Sequence, residues 1–305
     1  MIITRTPLRI SFVGGGSDLP SFYQEEPGAV VSATINKFVY VTVSEKFDGS
    51  IRAAYRETEN VDRIDALQHD LIRETLRLRG PHQGVEIHSI ADIPGGTGLG
   101  SSSAFTVGLI KALTPHLDPR VLADTACAVE IDMCGHQIGK QDQYAAAFGG
   151  VNLLRFRADG YVEQQRIACD TEALSAHLLL LYTGQIRQGD AGQQQKPDRD
   201  DVRGLAHLAQ EFTRWLERGS YPACGDVMHD AWEIKRRSCS NAQIDAWYAA
   251  ARAAGAWGGK LCGAGGGGFL AFLAPPDRHQ AIVRSTGLRH VSVRIGVPGC
   301  EVVYR

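Results

Sequence analysis

Three glycine clusters limit what this chain can build: residues 14–16 in FVGGGSD, 95–100 in PGGTGLG, and 258–268 in GGKLCGAGGGG. A residue without a Cβ lets the backbone curl into left-handed turns and lets its N–H groups approach an anion. The middle cluster runs directly into Ser101, Ser102 and Ser103. An apolar stretch with helical character follows, to Leu113, and Pro115 stops it. A glycine loop, three hydroxyls and the partial positive charge of a helix N-terminus together make a phosphate cradle. Gly96, Gly98, Leu99, Gly100 and the three serines are therefore the candidate ligands of a nucleoside triphosphate. The plainer alternative is a loop whose serine caps the helix.

Two common nucleotide folds fail on context. The P-loop string GxxxxGK[ST] is absent, since Lys140 and Lys260 follow glycines but precede Gln141 and Leu261. Gly263, Gly265 and Gly268 match GxGxxG, yet the FLAFLA that follows reads as strand, whereas a dinucleotide loop must open a helix. Apolar periodicity predicts strands over 2–13, 29–44, 85–91 and 178–182, with the third glycine cluster splitting another. HVSVRIGV at 290–297 and EVVYR at the end also read as strands. Helices are predicted over 62–79, 102–113, from Asp118-Pro119 to Gly135, and near 198–218, 223–238 and 241–254, with a short one after Pro276. Without a regular βαβα alternation, the class is α+β. Two domains are expected, 1–160 and 161–305, and the polar run 187–200 reads as a loop.

Composition narrows the partners. With 305 residues, net charge -2 and 44% hydrophobic residues, the chain can bury a core but carries no basic footprint for nucleic acid or an anionic membrane. No apolar run approaches the roughly 20 residues of a membrane span, and MIITRTPLRISF lacks the plan of a signal peptide. A soluble, cytoplasmic protein is expected. The seven cysteines are scattered without a CxxC pair; Cys134 and His136 alone fall short of a zinc site, so the cysteines read as ordinary thiols.

PxxxGLGSSSA at 94–104 resembles the phosphate-binding signature of the GHMP kinases. TPLRISFVGGGSD at 6–18 is similar to that family's first motif, and KLCGAGGGGFLAFL at 260–273 to its third. The resemblance spans nearly the whole chain. It implies a two-domain α+β fold, with the active site in a cleft between an N-terminal β-rich domain and a C-terminal α/β domain, and transfer of phosphate from ATP with Mg²⁺ to a small molecule. RISFVGGGSDLPSF, GKQDQYAAAFGGVN, TGQIR and KLCGAGGGGFLAF look like sugar-1-kinases that act on heptose 7-phosphate. That implies an anomeric hydroxyl as acceptor and surface polysaccharide as destination. A fucose- or galactose-type kinase, and a ligand-sensing paralogue without catalysis, remain as alternatives.

The resemblance also assigns roles. Asp142 falls at the catalytic aspartate, to take the acceptor's proton; otherwise it caps a short helix ending at Gly149. Glu130, twelve residues earlier, and Ser102 would hold Mg²⁺ through hard oxygen atoms; otherwise Glu130 is a solvated helix residue. Arg9 would stabilise the transferring phosphoryl group or act on the acceptor hydroxyl; otherwise it pairs with a surface acid. Gly15, Gly16, Ser17, Asp18 and Gln141 would receive the sugar, with Gly265 and Gly266 backing the site. A distal sugar phosphate needs a cation: Arg187 is preferred over Lys37, Arg56, Lys196, Lys235, Arg236 and Arg237. A homodimer is compatible with the family, although no sequence stripe specifies one.

Overall fold

The computed structural model describes every residue except 186–197 and 264. β1 (Ile2–Val13) is buried along most of its length between β2 (Gly28–Glu45) and, at its start, the last strand of the chain. Pro7 cannot donate to a ladder, and the register shifts there: Pro7 faces Phe38 while Leu8 faces Ile35. The two residues thus looped out, Asn36 and Lys37, mark the point where β2 changes neighbours. Its first part pairs with a strand late in this half, and its second part pairs from Val39 onward with the strand at 85–91.

The sheet is completed by β3 (Ile51–Ala54), β4 (Thr58–Val61), β5 (Val85–Ala91), β6 (Val151–Phe156) and β7 (Val162–Arg166). A second, antiparallel sheet holds β8 (Leu178–Tyr182), β9 (Gly258–Leu261), β10 (Phe269–Leu273) and β11 (Arg289–His290) in the order β11-β8-β10-β9. β12 (Glu301–Tyr304) returns to the first sheet beside β1. The result is the expected α+β class. Residue 160, however, lies in the β6–β7 hairpin, so a boundary there cuts through one sheet rather than between two.

Ten α-helices pack on these sheets among the described residues: α1 (Pro20–Tyr23), α2 (Asp70–Arg79), α3 (Ser101–Leu113), α4 (Pro119–Cys127), α5 (Gln141–Phe148), α6 (Thr171–His177), α7 (Arg199–Glu217), α8 (Tyr221–Cys239), α9 (Ala242–Ala253) and α10 (His279–Thr286). α3 is buried from Ser103 through Ile110, the pattern of a helix enclosed on all sides. Trp232, Tyr248 and Phe272 pack with tilted rings in a separate core that includes the second sheet. No helix among the described residues is long and apolar enough to cross a membrane.

Three expectations are corrected. The helix predicted from residue 62 starts at Asp70: Ile64–Ala66 is a 3₁₀ turn, Leu67 is extended, and the His69 ring accepts from the Ile72 N–H as the cap. Buried Ile64, Leu67 and Leu71 supplied helical spacing across that break. HVSVRIGV forms a strand only at its first residue. Beyond it the chain crosses the bulge of β2, where the Asn36 N–H donates to the Arg294 carbonyl and the Gly296 N–H to Thr34, single links instead of a ladder. The helix capped by Asp118 is regular only to Cys127. It continues as a π-helical turn, Ala128–Met133, and Gly135 ends it with φ +71°.

Candidate active site

β1 delivers Arg9 to the middle of the molecule. The residue is 5% exposed, and its guanidinium grips both oxygens of Asp142 on α5, Nε to Oδ1 at 2.6 Å and Nη2 to Oδ2 at 2.7 Å. Its third nitrogen, Nη1, donates to the Gly98 carbonyl at 2.8 Å, and the Arg9 N–H donates to Leu99. One arginine therefore orients the carboxylate and the glycine loop together. Burial pulls the guanidinium pKa down, and the charge and hydrogen bonds of Asp142 more than offset it, leaving it raised. A forked pair of this kind fixes direction as well as charge.

Asp18 stands beside this pair, 3% exposed. Its Oδ1 accepts from the Gly16 N–H at 3.0 Å, and its Oδ2 from the Gln141 side chain at 3.0 Å. Burial, then the nearby charge of Asp142, raises its pKa, against the pull of those N–H donors. Gly139 makes the approach possible, since a Cβ there would lie 1.9 Å from Asp18 Oδ2. Gln141 Oε1 has no hydrogen-bond partner among the described residues. Ser17 is spent internally: its hydroxyl donates to Gly14 and accepts from the Ala29 N–H, so it holds the loop instead of facing a ligand.

Leading into α3, Gly96, Gly98 and Gly100 all have positive φ. The helix N-cap is Gly100, with no side-chain cap, so the expected serine cap is replaced by serines within the first turn. The orphan N–H groups of that turn stay available to an anion. The third cluster packs backbone to backbone on this loop: a Cβ on Gly98 would meet the Cys262 carbonyl oxygen at 2.4 Å, and one on Gly263 would meet Gly98 Cα at 2.3 Å. Gly265 and Gly266 lie elsewhere in that cluster, at the end of α8, where the Gly266 N–H donates to Cys239.

Glu130 sits in the π-helical turn and is wholly buried, not a solvated helix residue. Its Oε2 accepts from Ser103 at 3.1 Å; Ser102, the serine expected there, is exposed. Burial pushes the Glu130 pKa up to about 8, against nearby Gln143, Ser103 and Thr106, while the Asp142 charge adds to the rise. Among the described residues its Oε1 has no hydrogen-bond partner, nor do the side-chain amide atoms of buried Gln143. A buried carboxylate with an orphaned oxygen is costly without a countercharge.

Further cations and a cavity complete the surroundings. Lys260 on β9 is 4% exposed, and burial followed by repulsion from Lys235 lowers its pKa to about 7; Arg9 adds to the same field. Lys235 donates to the Gly263 carbonyl and so braces the third cluster. Arg236 is occupied by Glu233 and Asp245, and Arg237 by Asp201. Arg187 and Lys196 lie outside the described residues. Arg56 stands at the glycine loop before α3, where it lines a cavity of about 140 Å³ with Tyr55, Val39, Ser89, Ala91, Gly95 and Ser101.

Residues 66–150 match the model of the GHMP kinases N terminal domain, and residues 212–287 that of the GHMP kinases C terminal. The chain belongs to the GHMP kinase family. It is an ATP-dependent kinase, and the first match contains the glycine loop at 95–100, Glu130 and Asp142. It is 27% identical to the D-glycero-alpha-D-manno-heptose 7-phosphate kinase of Campylobacter jejuni, over 93% of this chain and 92% of that protein. It is 24% identical to a bifunctional fucokinase/GDP-fucose pyrophosphorylase of Arabidopsis thaliana, over 88% of this chain and 29% of that protein. The crystal structure of a D-glycero-D-manno-heptose 1-phosphate kinase from Bacteriodes thetaiotaomicron superposes with a TM-score of 0.84 at 25% identity, covering 100% of this chain and 99% of that one.

Within this GHMP kinase, the motifs pointed to Arg9, Asp18, Glu130 and Asp142 but not to three further residues. Gln143 had a signal, a polar side chain one position after the aspartate on a helix that is otherwise largely alanine and aromatic. Lys260 has a signal in its place at the opening of the third motif. Tyr55 had none, because its place beside the loop depends on the pairing of β3 with β5.

Proposed function

We propose that this kinase phosphorylates the anomeric hydroxyl of D-glycero-D-manno-heptose 7-phosphate, giving the 1,7-bisphosphate on the way to nucleotide-activated heptose for surface polysaccharide. The observation that carries the chemistry is the Arg9–Asp142 clamp, with the glycine loop on one side and Asp18 on the other. Similarity to the Campylobacter heptose 7-phosphate kinase supports the sugar phosphate, and similarity to the heptose 1-phosphate kinase structure supports the heptose alone. The triphosphate lies over Gly96–Gly100 and the first turn of α3, with the base toward the Tyr55–Arg56 cavity. Asp18 and Gln141 orient the sugar's hydroxyls, and Gly15 and Gly16 leave room for it.

In the transfer step the acceptor oxygen attacks the γ-phosphorus, the bond to the β-bridging oxygen breaks and ADP leaves. The acceptor's proton passes to Asp142, which is 22% exposed and keeps lone pairs beyond those used by Arg9. Arg9 keeps that carboxylate aimed and adds positive charge where the phosphoryl group passes.

The orphaned Glu130 Oε1 fits a hard cation, so Glu130, with the hydroxyls of Ser103 and Ser102 at the mouth of the loop, would hold Mg²⁺. When bound, Mg²⁺ offsets charge on the triphosphate oxygens. With the ion held there, Glu130 would be ionised and would keep Ser103 oriented.

A hexose kinase of the fucose type is the second reading, favoured by the match to the bifunctional fucokinase/GDP-fucose pyrophosphorylase of Arabidopsis thaliana. Incubation with ATP, Mg²⁺ and a panel of sugars and sugar phosphates separates them by ADP release. Heptose 7-phosphate should turn over fastest. Faster turnover of an unphosphorylated hexose would reject the heptose assignment, and no release with any acceptor would reject the kinase reaction itself. Asp142→Asn should abolish turnover while ATP still binds; near-normal turnover would remove Asp142 as base.

A further inference from the structure

Where the sequence offered only Cys134 and His136, the fold adds a third ligand. Asp70, the first residue of α2, stands against the loop that leaves the π-helical turn, and His136 Nε2 lies 2.7 Å from its Oδ2. One ligand atom from each of Asp70, Cys134 and His136 lies within 4.8 Å of the other two. All three side chains are partly exposed, so an ion can reach them from solvent.

We propose that Asp70, Cys134 and His136 bind a zinc ion, with water in the fourth position. Sulfur, imidazole nitrogen and carboxylate oxygen are the donor set of a borderline-soft ion, unlike the all-oxygen shell that magnesium requires. The outer shell is partly built. Asp70 Oδ1 accepts from the Leu71 N–H at 2.7 Å, which turns Oδ2 toward the histidine. Glu74, the neighbouring carboxylate, is held by Arg73 and Arg77 and does not compete. Without an ion, burial and the charges of Asp70 and Glu74 hold the Cys134 thiol up at about 12. A divalent cation reverses that field and makes the thiolate the stable form.

The position gives the ion a task. The Cys134 N–H donates to Val129 and the His136 N–H to Glu130, so the loop hangs on the π-helical turn and leads on to Gly139 and Asp142. Zinc would tie that segment to the start of α2 and stiffen the support of both carboxylates. Its donor set differs from the all-oxygen set proposed for Mg²⁺, and its occupancy can be read without any turnover.

The test uses the full chain, stripped with chelator and titrated with Zn²⁺ against a chromophoric competitor. One equivalent should bind, unaffected by excess Mg²⁺. Cys134→Ser and His136→Ala should each weaken it by more than the roughly 10–100-fold typical of losing an outer-shell partner. Co²⁺ in its place should show a thiolate charge-transfer band that Cys134→Ser removes and Cys169→Ser keeps. Melting in chelator checks that the variants fold, and Asp70→Asn substitutes for any that does not. Absence of stoichiometric Zn²⁺, or binding that survives all three substitutions, would overturn the site.

Discussion

Glu130 makes the strongest demand on experiment, because its buried carboxyl couples stability to pH in an unusual direction. In the unfolded chain it titrates near its ordinary 4.5; in the folded protein, without a cation, it titrates near 8. Between those values the folded state binds more protons, so stability must fall as pH rises. A separation of that size makes the contribution to the change from pH 6 to pH 8 about 2 kcal/mol, at roughly 1.4 kcal/mol per unit, flattening as the folded group itself titrates. Glu130→Gln has no proton to lose and should not show this fall. Lys260 opposes it: with a folded pKa near 7 against an ordinary 10.5, its contribution rises with pH. That part is common to both proteins and cancels in the difference. Urea unfolding of wild type and Glu130→Gln, with chelator, at half-unit steps from pH 6 to 8 measures it. The wild type should lose about 2 kcal/mol relative to the variant, and Mg²⁺ should restore that loss at pH 8 in the wild type alone. Parallel curves would refute the buried proton, and an equal response to Mg²⁺ would refute the metal role.

Two backbone contacts give further tests. Gly98→Ala forces a left-handed position, φ +82°, onto a side chain whose Cβ meets the Cys262 carbonyl at 2.4 Å; strain of about 1–2 kcal/mol plus overpacking of about 1–3 should lower the melting temperature and weaken ATP binding, read by calorimetry and titration. Gly139→Ala drives a methyl into Asp18; steady-state kinetics should show a raised KM for the sugar with the KM for ATP unchanged, and a change confined to ATP would detach Asp18 from the sugar.

Much of this site could be read from the sequence because its parts are local. The glycine loop, the serines and the start of α3 are one continuous string, and their chemistry needs only backbone N–H groups and a helix end. Asp118 announces its helix for the same reason. What stayed hidden depends on pairing across the chain. The bulge of β2 at Asn36 and Lys37 turned HVSVRIGV from an alternating strand into a string of single links, and nothing in those eight residues reports it. The break at Leu67 was masked by apolar spacing that a 3₁₀ turn and a helix satisfy together. Ser102 and Ser103 differ only in which face of the first turn they occupy, and the π-helical turn that carries Glu130 selects Ser103.

The same turn explains how three neighbouring carboxyl groups come to differ. A guanidinium fork holds Asp142, N–H donors hold Asp18, and Glu130 is buried with one oxygen unmatched. Environments that push like groups apart assign their work. The paired and partly exposed group suits the proton, and the group held by N–H donors suits hydroxyls. The unmatched one suits a cation that arrives with the nucleotide. Glu130 should therefore stay protonated until that cation binds, so Mg²⁺ binding should release close to one proton at pH 7 and far less at pH 9. Calorimetry in buffers of different ionisation enthalpy counts that proton, and a release that does not change with pH would show that Glu130 is ionised before the metal comes.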